Sequence, residues 1–382
     1  MEIAKSLQQI QSSYIREILE AASDESVISL AGGLPDPNTF PIDLMQPTLQ
    51  KLADMPDVFQ YGNTQGYAPL ISHLTESYQL PSNQKIMVCT GSQQGLDLIA
   101  RAFIDPGDNI VMEAPSYLGA MQVFGLSQAN ILTVSQDEMG PDTQALEQLF
   151  QSSNVKLFYA VPDFHNPTGV CWSLEKRKKV AQLCVQYNVA LVEDAPYREL
   201  RFSGAELPMV SSFCPDHCIV LRSFSKIASP GLRIGIVSGK SAYIDPMIKV
   251  KQGADLHSSV PMQALLLGLL QEDTFSQHLE SIKSLYRNRY LALVEELKKQ
   301  LPDNCKVNSV DGGMFLWVTL PPCDTFDVAK TSLSRGVAVV PSQVFYPSGI
   351  EGESALRLNF TNSTTEELAT AVKALTQVIK AI

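Results

Sequence analysis

The sequence predicts an α/β protein: a large domain on a mainly parallel mixed sheet flanked by helices, followed by a smaller α+β domain. Three observations predict it. Between Ile86 and Val161, short apolar runs alternate with stretches of helical spacing, the pattern of chains that build parallel sheets. A long helical pattern from about Thr274 to Gln300 leads into a second apolar-alternating region beginning at Gly312, which reads as a separate, smaller unit. Finally, 382 residues with 45% hydrophobic and 18% charged content can bury a core large enough to divide in two. The expected divisions are an N-terminal arm over 1–45 that packs with the small domain, a large domain over 46–285 and a small domain over 286–382.

In chain order, Leu7, Ile10, Tyr14, Ile15, Ile18 and Leu19 have helical spacing across 6–22, and an extended segment with Gly32-Gly33-Leu34-Pro35 follows. Tyr61 to Leu70 is a glycine-punctuated loop with two tyrosines, which reads as a binding loop. Strands are expected over 86–90, 110–113, 131–134 and 157–161, and helices over 92–103, from 116, and over 143–150. A helix over 174–187 then precedes an apolar strand from Val189 that ends in Glu193-Asp194. Strands over 218–222 and 234–237 flank a turn at Pro230-Gly231.

Composition excludes several classes of function. A formal net charge of −11 argues against a general nucleic-acid binder. Lys176-Arg177-Lys178-Lys179 reads as a solvated helix face. Met1-Glu2-Ile3-Ala4-Lys5 lacks the layout of a signal peptide, and the longest apolar run, Ala264 to Leu270, is too short to span a bilayer. A cytoplasmic protein with no membrane partner is expected. Seven scattered cysteines indicate no disulfide framework, and Cys214-Pro215-Asp216-His217-Cys218 lacks the second ligand pair of a zinc site, so no metal is expected. Gly235 to Ser241 has three residues between its glycines where a nucleotide-binding P-loop needs four.

The chemistry concentrates in Ser223-Phe224-Ser225-Lys226-Ile227-Ala228-Ser229-Pro230-Gly231-Leu232-Arg233. Lys226 stands where a strand ends, the place where open α/β sheets bind ligands. The turn at Pro230-Gly231 can swing Arg233 back toward Ser223 and Ser225, and a guanidinium beside two hydroxyls grips a phosphate. A lysine next to a held phosphate suggests a phosphorylated aldehyde, bound as a Schiff base: pyridoxal phosphate. Ser92 and Gln93, in the turn after the first strand, supply a second phosphate contact through free N–H groups at a helix start. Tyr117, just beyond another strand end, can stack on a flat pyridine ring. The amide of Asn166 can donate to the ring's phenolate oxygen, and Tyr197 can bond the same oxygen. Asp194 beside the pyridine nitrogen would favour its protonated, electron-withdrawing form. Arg357, in an alternating strand, can clamp an α-carboxylate with two parallel bonds. His257 reads as a hydrogen-bonded structural histidine.

The pattern Ser-x-Ser-Lys-x-x-x-Pro-Gly-Leu-Arg-x-Gly, with Asn166-Pro167-Thr168-Gly169 and Arg357-Leu358-Asn359-Phe360, resembles fold-type I pyridoxal phosphate-dependent aminotransferases. Ser13 to Leu19 followed by the Gly-Gly-Leu-Pro segment, and Lys249 to His257, resemble the α-aminoadipate and kynurenine branch. The resemblance runs from Ile15 to Phe360 and implies an enzyme that moves an amino group from an L-amino acid to a 2-oxo acid such as 2-oxoglutarate. It implies that Lys226, Asp194 and Tyr117 are catalytic, that Arg357 and Asn166 bind substrate, that Gly33 borders the substrate, and that Arg16 meets its distal carboxylate. It further implies a homodimer with shared sites, in which Tyr61 reaches the neighbouring subunit's cofactor phosphate. Asp163 and His165 are unusual for the family, and Ser342 replaces a usual glycine; with Arg16, His165 and Ser342 are where donor choice is expected to lie. Decarboxylase, β-lyase and oxidase chemistry use the same cofactor. A ligand-sensing regulator on this fold would need a DNA-reading module, for which few residues precede the arm.

Overall fold

The computed structural model describes residues 2–8, 18, 24 and 26–382. Most of the helix expected over 6–22, Arg16 included, lies outside the described residues. No helix among them is long and apolar enough to cross a membrane. The arm's described end contributes a short strand, β1 (Ile28–Ser29).

The main sheet has eight strands: β2 (Gln84–Cys89), β3 (Asn109–Ala114), β4 (Asn130–Asp137), β5 (Gly140–Pro141), β6 (Val155–Ala160), β7 (Ala190–Asp194), β8 (Cys218–Ser223) and β9 (Gly235–Lys240). Their spatial order is β2-β9-β8-β7-β6-β3-β4-β5. The run from β8 through β7, β6 and β3 to β4 is parallel, whereas β9 is antiparallel to both neighbours. The reason lies in the connections. Helices such as Ser92–Phe103, Leu118–Leu126, Thr143–Ser152 and Leu174–Tyr187 carry the crossovers between parallel strands, but only 224–234 joins β8 to β9, too short for a crossover. That short return brings the turn carrying Lys226 to the edge where β6, β7 and β8 end.

Helix boundaries follow the sequence expectations closely where apolar spacing defines them: Ser92–Phe103 and Leu174–Tyr187 match, and the long helix is Phe275–Gln300. The helix expected from 116 begins at Leu118, with Tyr117 as its extended N-cap residue. Strand β4 is longer than 131–134 because its polar end pairs with β5 through Gln136↔Pro141 and Asp137↔Gly140, which a hydrophobic pattern does not register.

The smaller sheet orders β10 (Lys306–Val307), β11 (Phe315–Thr319), β14 (Ala355–Asn359) and β13 (Val340–Pro341), all antiparallel. Helix Thr365–Ile379 starts with a reciprocal capping box of Thr364 and Glu367 and packs on Phe275–Gln300. The arm is stitched to this unit: β1 pairs in parallel with β12 (Val337–Ala338), and Asn359 N donates to Leu30 O at 2.7 Å.

One surface expectation is overturned. Arg177, in the basic run 176–179, is fully buried. Its Nη2 lies 2.6 Å from Asp163 Oδ1, and Arg198 Nη1 lies 3.0 Å from Asp163 Oδ2. A buried charge survives only when paired and hydrogen-bonded, and Asp163 supplies the partner from the loop after β6.

Candidate active site

Among the described residues, every site residue expected from the sequence except Tyr61 lines one cavity of about 260 Å³. The cavity lies at the C-terminal ends of β6, β7 and β8, closed on one side by β14 of the smaller sheet and by the arm at Gly33. Lys226, Asp194 and Arg233 therefore face a shared space rather than separate ones.

Lys226 sits in the turn after β8, and its Nζ donates to Gly33 O at 2.7 Å. Burial, reinforced by the charges of Arg233 and Arg357, brings its pKa down from 10.5 to about 8. An amine whose pKa lies this close to physiological pH keeps a neutral fraction far larger than that of an ordinary lysine, and that fraction can act as a nucleophile and a base.

Asp194 closes β7. Its Oδ2 accepts from the Tyr159 hydroxyl at 2.8 Å, and its Oδ1 is buried with no partner among the described residues. Burial raises the carboxyl from 3.8 to about 7, against the opposing effect of the Tyr159 bond. Keeping it ionised in the bare cavity costs on the order of 4 kcal/mol. An orphaned buried carboxylate oxygen needs a cation or a donor, and a protonated pyridine nitrogen is both. On this ground the cavity fits the cofactor.

The opposite end fits a phosphate. Gly91 caps helix Ser92–Phe103 with φ +76°, and the first N–H groups of that helix, Ser92 and Gln93 among them, have no intrahelical acceptor. Arg233 adopts a left-handed conformation after the turn Pro230–Leu232, and among the described residues its guanidinium makes only long hydrogen bonds, 3.5 Å to Thr90 O and to Pro230 O. A Cβ on Gly91 would lie 2.6 Å from Arg233 Nη2, and one on Gly235 would lie 2.6 Å from Ser92 N. Two positions without side chains thus leave room for an anion between the helix start, Arg233 and the buried hydroxyls of Ser223 and Ser225. The Gln93 side chain is otherwise engaged: it donates to Gly119 O at 3.1 Å and accepts from Tyr117 OH at 3.1 Å. Gln93 therefore offers an anion its backbone N–H, while its amide holds Tyr117 in the cavity wall.

Asn166 joins two parts of the site. Its Nδ2 faces Tyr197 OH at 3.5 Å, and its Oδ1 accepts from Arg357 Nη1 at 2.8 Å. Arg357 is buried, held also by Nη2 to Ala31 O at 2.5 Å and stacked on Phe315 at 4.3 Å. Its Nε has no partner among the described residues. A buried guanidinium with no carboxylate against it among the described residues, and with a free N–H edge, suits an incoming carboxylate. Burial lowers even this group, to about 10.

Tyr61 lies outside the cavity, 80% exposed. Its ring packs edge-on against His257, whose Nε2 accepts from Gly62 N at 3.2 Å. The expected structural role of His257 is what its bonds show. Asp163, His165 and Ser342 do not line the cavity either. Asp163 is the buried partner of Arg177; His165 is buried beside Thr168 at 2.9 Å; Ser342 donates to Glu353 O at 2.7 Å and accepts from Ala355 N at 3.1 Å. The Ser342 hydroxyl is thus engaged within the scaffold, whereas His165 Nε2 has no hydrogen-bond partner among the described residues and lies 3.6 Å from Glu113 Oε2.

Wall residues missed from the sequence include Tyr159, which bonds Asp194, and Phe315, which supports Arg357. Tyr159 lies beside β7 in register with Val192, so alternation along β6 next to an acidic strand end was an available signal. Phe315 had none.

Residues 25–375 match the family aminotransferase class I and II. The chain is 36% identical over 380 residues to 2-aminoadipate transaminase of Thermus thermophilus, covering 98% of this chain and 95% of that one. It is 35% identical over 385 residues to aromatic-amino-acid aminotransferase 1 of Thermococcus litoralis, covering 97% and 92%. The solved structure of Pyrococcus horikoshii kynurenine aminotransferase, in complex with PMP, superposes with a TM-score of 0.95 at 34% identity, over 99% of this chain and 97% of that one. The chain belongs to the class I and II aminotransferases, and is a pyridoxal phosphate-dependent enzyme of fold type I that transfers amino groups between amino acids and 2-oxo acids.

Proposed function

We propose that this cavity carries out amino transfer with the following division of labour. Ser92, Gln93, Ser223, Ser225 and Arg233 hold the cofactor's phosphate, Asn166 and Tyr197 its ring oxygen, Asp194 its ring nitrogen, and Tyr117 its ring face. When bound, pyridoxal phosphate supplies an electron sink that makes the α-proton of an attached amino acid removable. Lys226 Nζ, half-buried and with its pKa lowered to about 8, takes that proton from the α-carbon in its neutral form. Arg357 holds the α-carboxylate, which fixes the donor's orientation, and Gly33 borders its side chain. The observation that carries this reading is the shared cavity of Lys226, Asp194 and Arg357, with the unpaired oxygen of Asp194 and the unpaired Nε of Arg357.

As donor we infer a large L-amino acid of the 2-aminoadipate, kynurenine or aromatic kind, with 2-oxoglutarate as acceptor, on the strength of the three similar enzymes. A homodimer is part of the proposal: Tyr61 and Phe59, 80% and 64% exposed, present aromatic surface that a second copy would cover. We further take the arm and the unit containing β10 to β14 as one body against the main sheet, in a cytoplasmic enzyme. A panel of L-amino acids with 2-oxoglutarate, assayed for glutamate, 2-oxo acid, carbon dioxide and ammonia, tests the reaction. Stoichiometric 2-oxo acid and glutamate are expected; carbon dioxide or ammonia as the main product would overturn the proposal.

A further inference from the structure

Behind the start of helix Ser92–Phe103 lies a polar network whose side chains do not line the cavity. Lys251, on helix Ser241–Ala254, is fully buried. Its Nζ bonds Asp255 Oδ1 at 2.8 Å, Asp255 Oδ2 at 2.9 Å and Gln94 Oε1 at 2.9 Å. Gln94 is the bridge: its Oε1 also accepts from Thr90 N at 2.7 Å, and its Nε2 donates to Asp255 Oδ2 at 2.6 Å. Thr90 Oγ1 lies 3.1 Å from Ser258 Oγ and 3.4 Å from Asp255 Oδ2. Thr90 thus has its N–H held by Gln94 and its hydroxyl held from the segment after the helix. It immediately precedes Gly91, the N-cap whose left-handed backbone aims the first helical N–H groups at the cavity.

A buried ammonium is a costly way to stabilise a helix end, because its hydration must be replaced in full. The arrangement makes sense as orientation. Gln94 could rotate its amide by half a turn and still fit sterically. In that orientation, however, its oxygen would face Asp255 and its NH₂ would face both Thr90 N–H and Lys251, so Lys251 and Asp255 together admit one orientation only. With the amide locked, Thr90 N is fixed, and so is the direction of the turn that follows.

We propose that Lys251, acting with Asp255 through Gln94, is a positioning residue for the cofactor's phosphate. It holds the Thr90–Gly91–Ser92 turn in its anion-receiving form and so sets how much affinity the phosphate contributes. The inference rests on reading the start of helix Ser92–Phe103 as the phosphate site.

The test compares apoenzyme affinity for pyridoxal phosphate with that for pyridoxal, each by absorbance titration, in wild type, Lys251→Met, Gln94→Leu and, as reference, Arg233→Gln. Lys251→Met and Gln94→Leu are expected to weaken pyridoxal phosphate about tenfold, the worth of one well-placed hydrogen bond, and to leave pyridoxal unchanged. Equal weakening of both ligands would mean a merely structural role, and unchanged affinity for both would mean none; either result overturns the proposal. If Arg233→Gln lowers the ratio of the two affinities while Lys251→Met and Gln94→Leu do not, the phosphate site stands and this inference alone fails. If Arg233→Gln leaves the ratio unchanged, the phosphate reading itself fails. Should Lys251→Met not fold, Gln94→Leu carries the test, since it removes the bridge without removing a charge.

Discussion

Arg357 Nη1 and Asn166 Oδ1 are joined by a 2.8 Å hydrogen bond, which ties β14 of the smaller sheet to the loop after β6 of the main one. The proposed carboxylate clamp and the proposed contact to the cofactor's ring oxygen are therefore not independent. A carboxylate arriving at Arg357 would meet a group already bonded to Asn166, so the two proposed contacts are expected to respond together.

If Arg357 is the clamp, Arg357→Ala lowers kcat/KM by about 100-fold for every amino donor, the order expected for losing a bidentate charged pair. Steady-state kinetics over several donors checks this. A loss confined to one donor would assign Arg357 to side-chain selection instead.

Lys226→Ala is expected to abolish turnover and the long-wavelength absorbance of the bound cofactor, while leaving the chain folded by circular dichroism. Retention of full transaminase activity would refute the assignment of the amine.

The pKa of Lys226, lowered to about 8 by burial and the neighbouring guanidiniums, sets a pH dependence with a definite sign. Only the unprotonated amine reacts, so the rate at which apoenzyme captures pyridoxal phosphate should rise with pH up to about 8 and level off above it. Stopped-flow absorbance measures it, and a rise continuing to pH 10 would place the amine in a more solvated setting.

Asp194 offers a test with opposite signs. Burial raises its folded pKa from 3.8 to about 7, so the folded apoprotein keeps a proton that the unfolded chain gives up. The contribution of this one group to stability is therefore full below pH 4 and is lost as pH rises through 7. Asp194→Asn should remove this component, raising the apoprotein's Tm at pH 8, yet it should lower kcat by 100-fold or more because the ring nitrogen loses its counter-charge. Thermal melts with and without cofactor, beside kinetics, separate the two effects; a variant less stable as apoprotein and fully active would contradict both.

Ser342→Gly tests whether Ser342 acts on the scaffold or on donor choice. It removes the bonds to Glu353 O and from Ala355 N and is expected to cost about 2 kcal/mol of stability without changing the ranking of donors. A changed ranking at unchanged stability would return Ser342 to the substrate.

The sequence by itself determined the alternating architecture, the strand ends and the short motifs placed on them. Lys226, Asp194, Asn166 and Arg357 were legible because each sits in a local pattern whose strand or turn is set by neighbours in the chain. Period and turn chemistry act over a few residues, and a sequence displays them directly. Only the tertiary structure decided that these four meet in one cavity, that Tyr159 and Phe315 complete its walls, and that Arg177 is buried rather than solvated. It also decided that the Ser342 hydroxyl bonds Glu353 and Ala355, and that Lys251 reaches Gln94 across 157 positions. Whether a charge is solvated or buried depends on a partner remote in the chain, such as Asp163 for Arg177, and no local pattern encodes that partner's position.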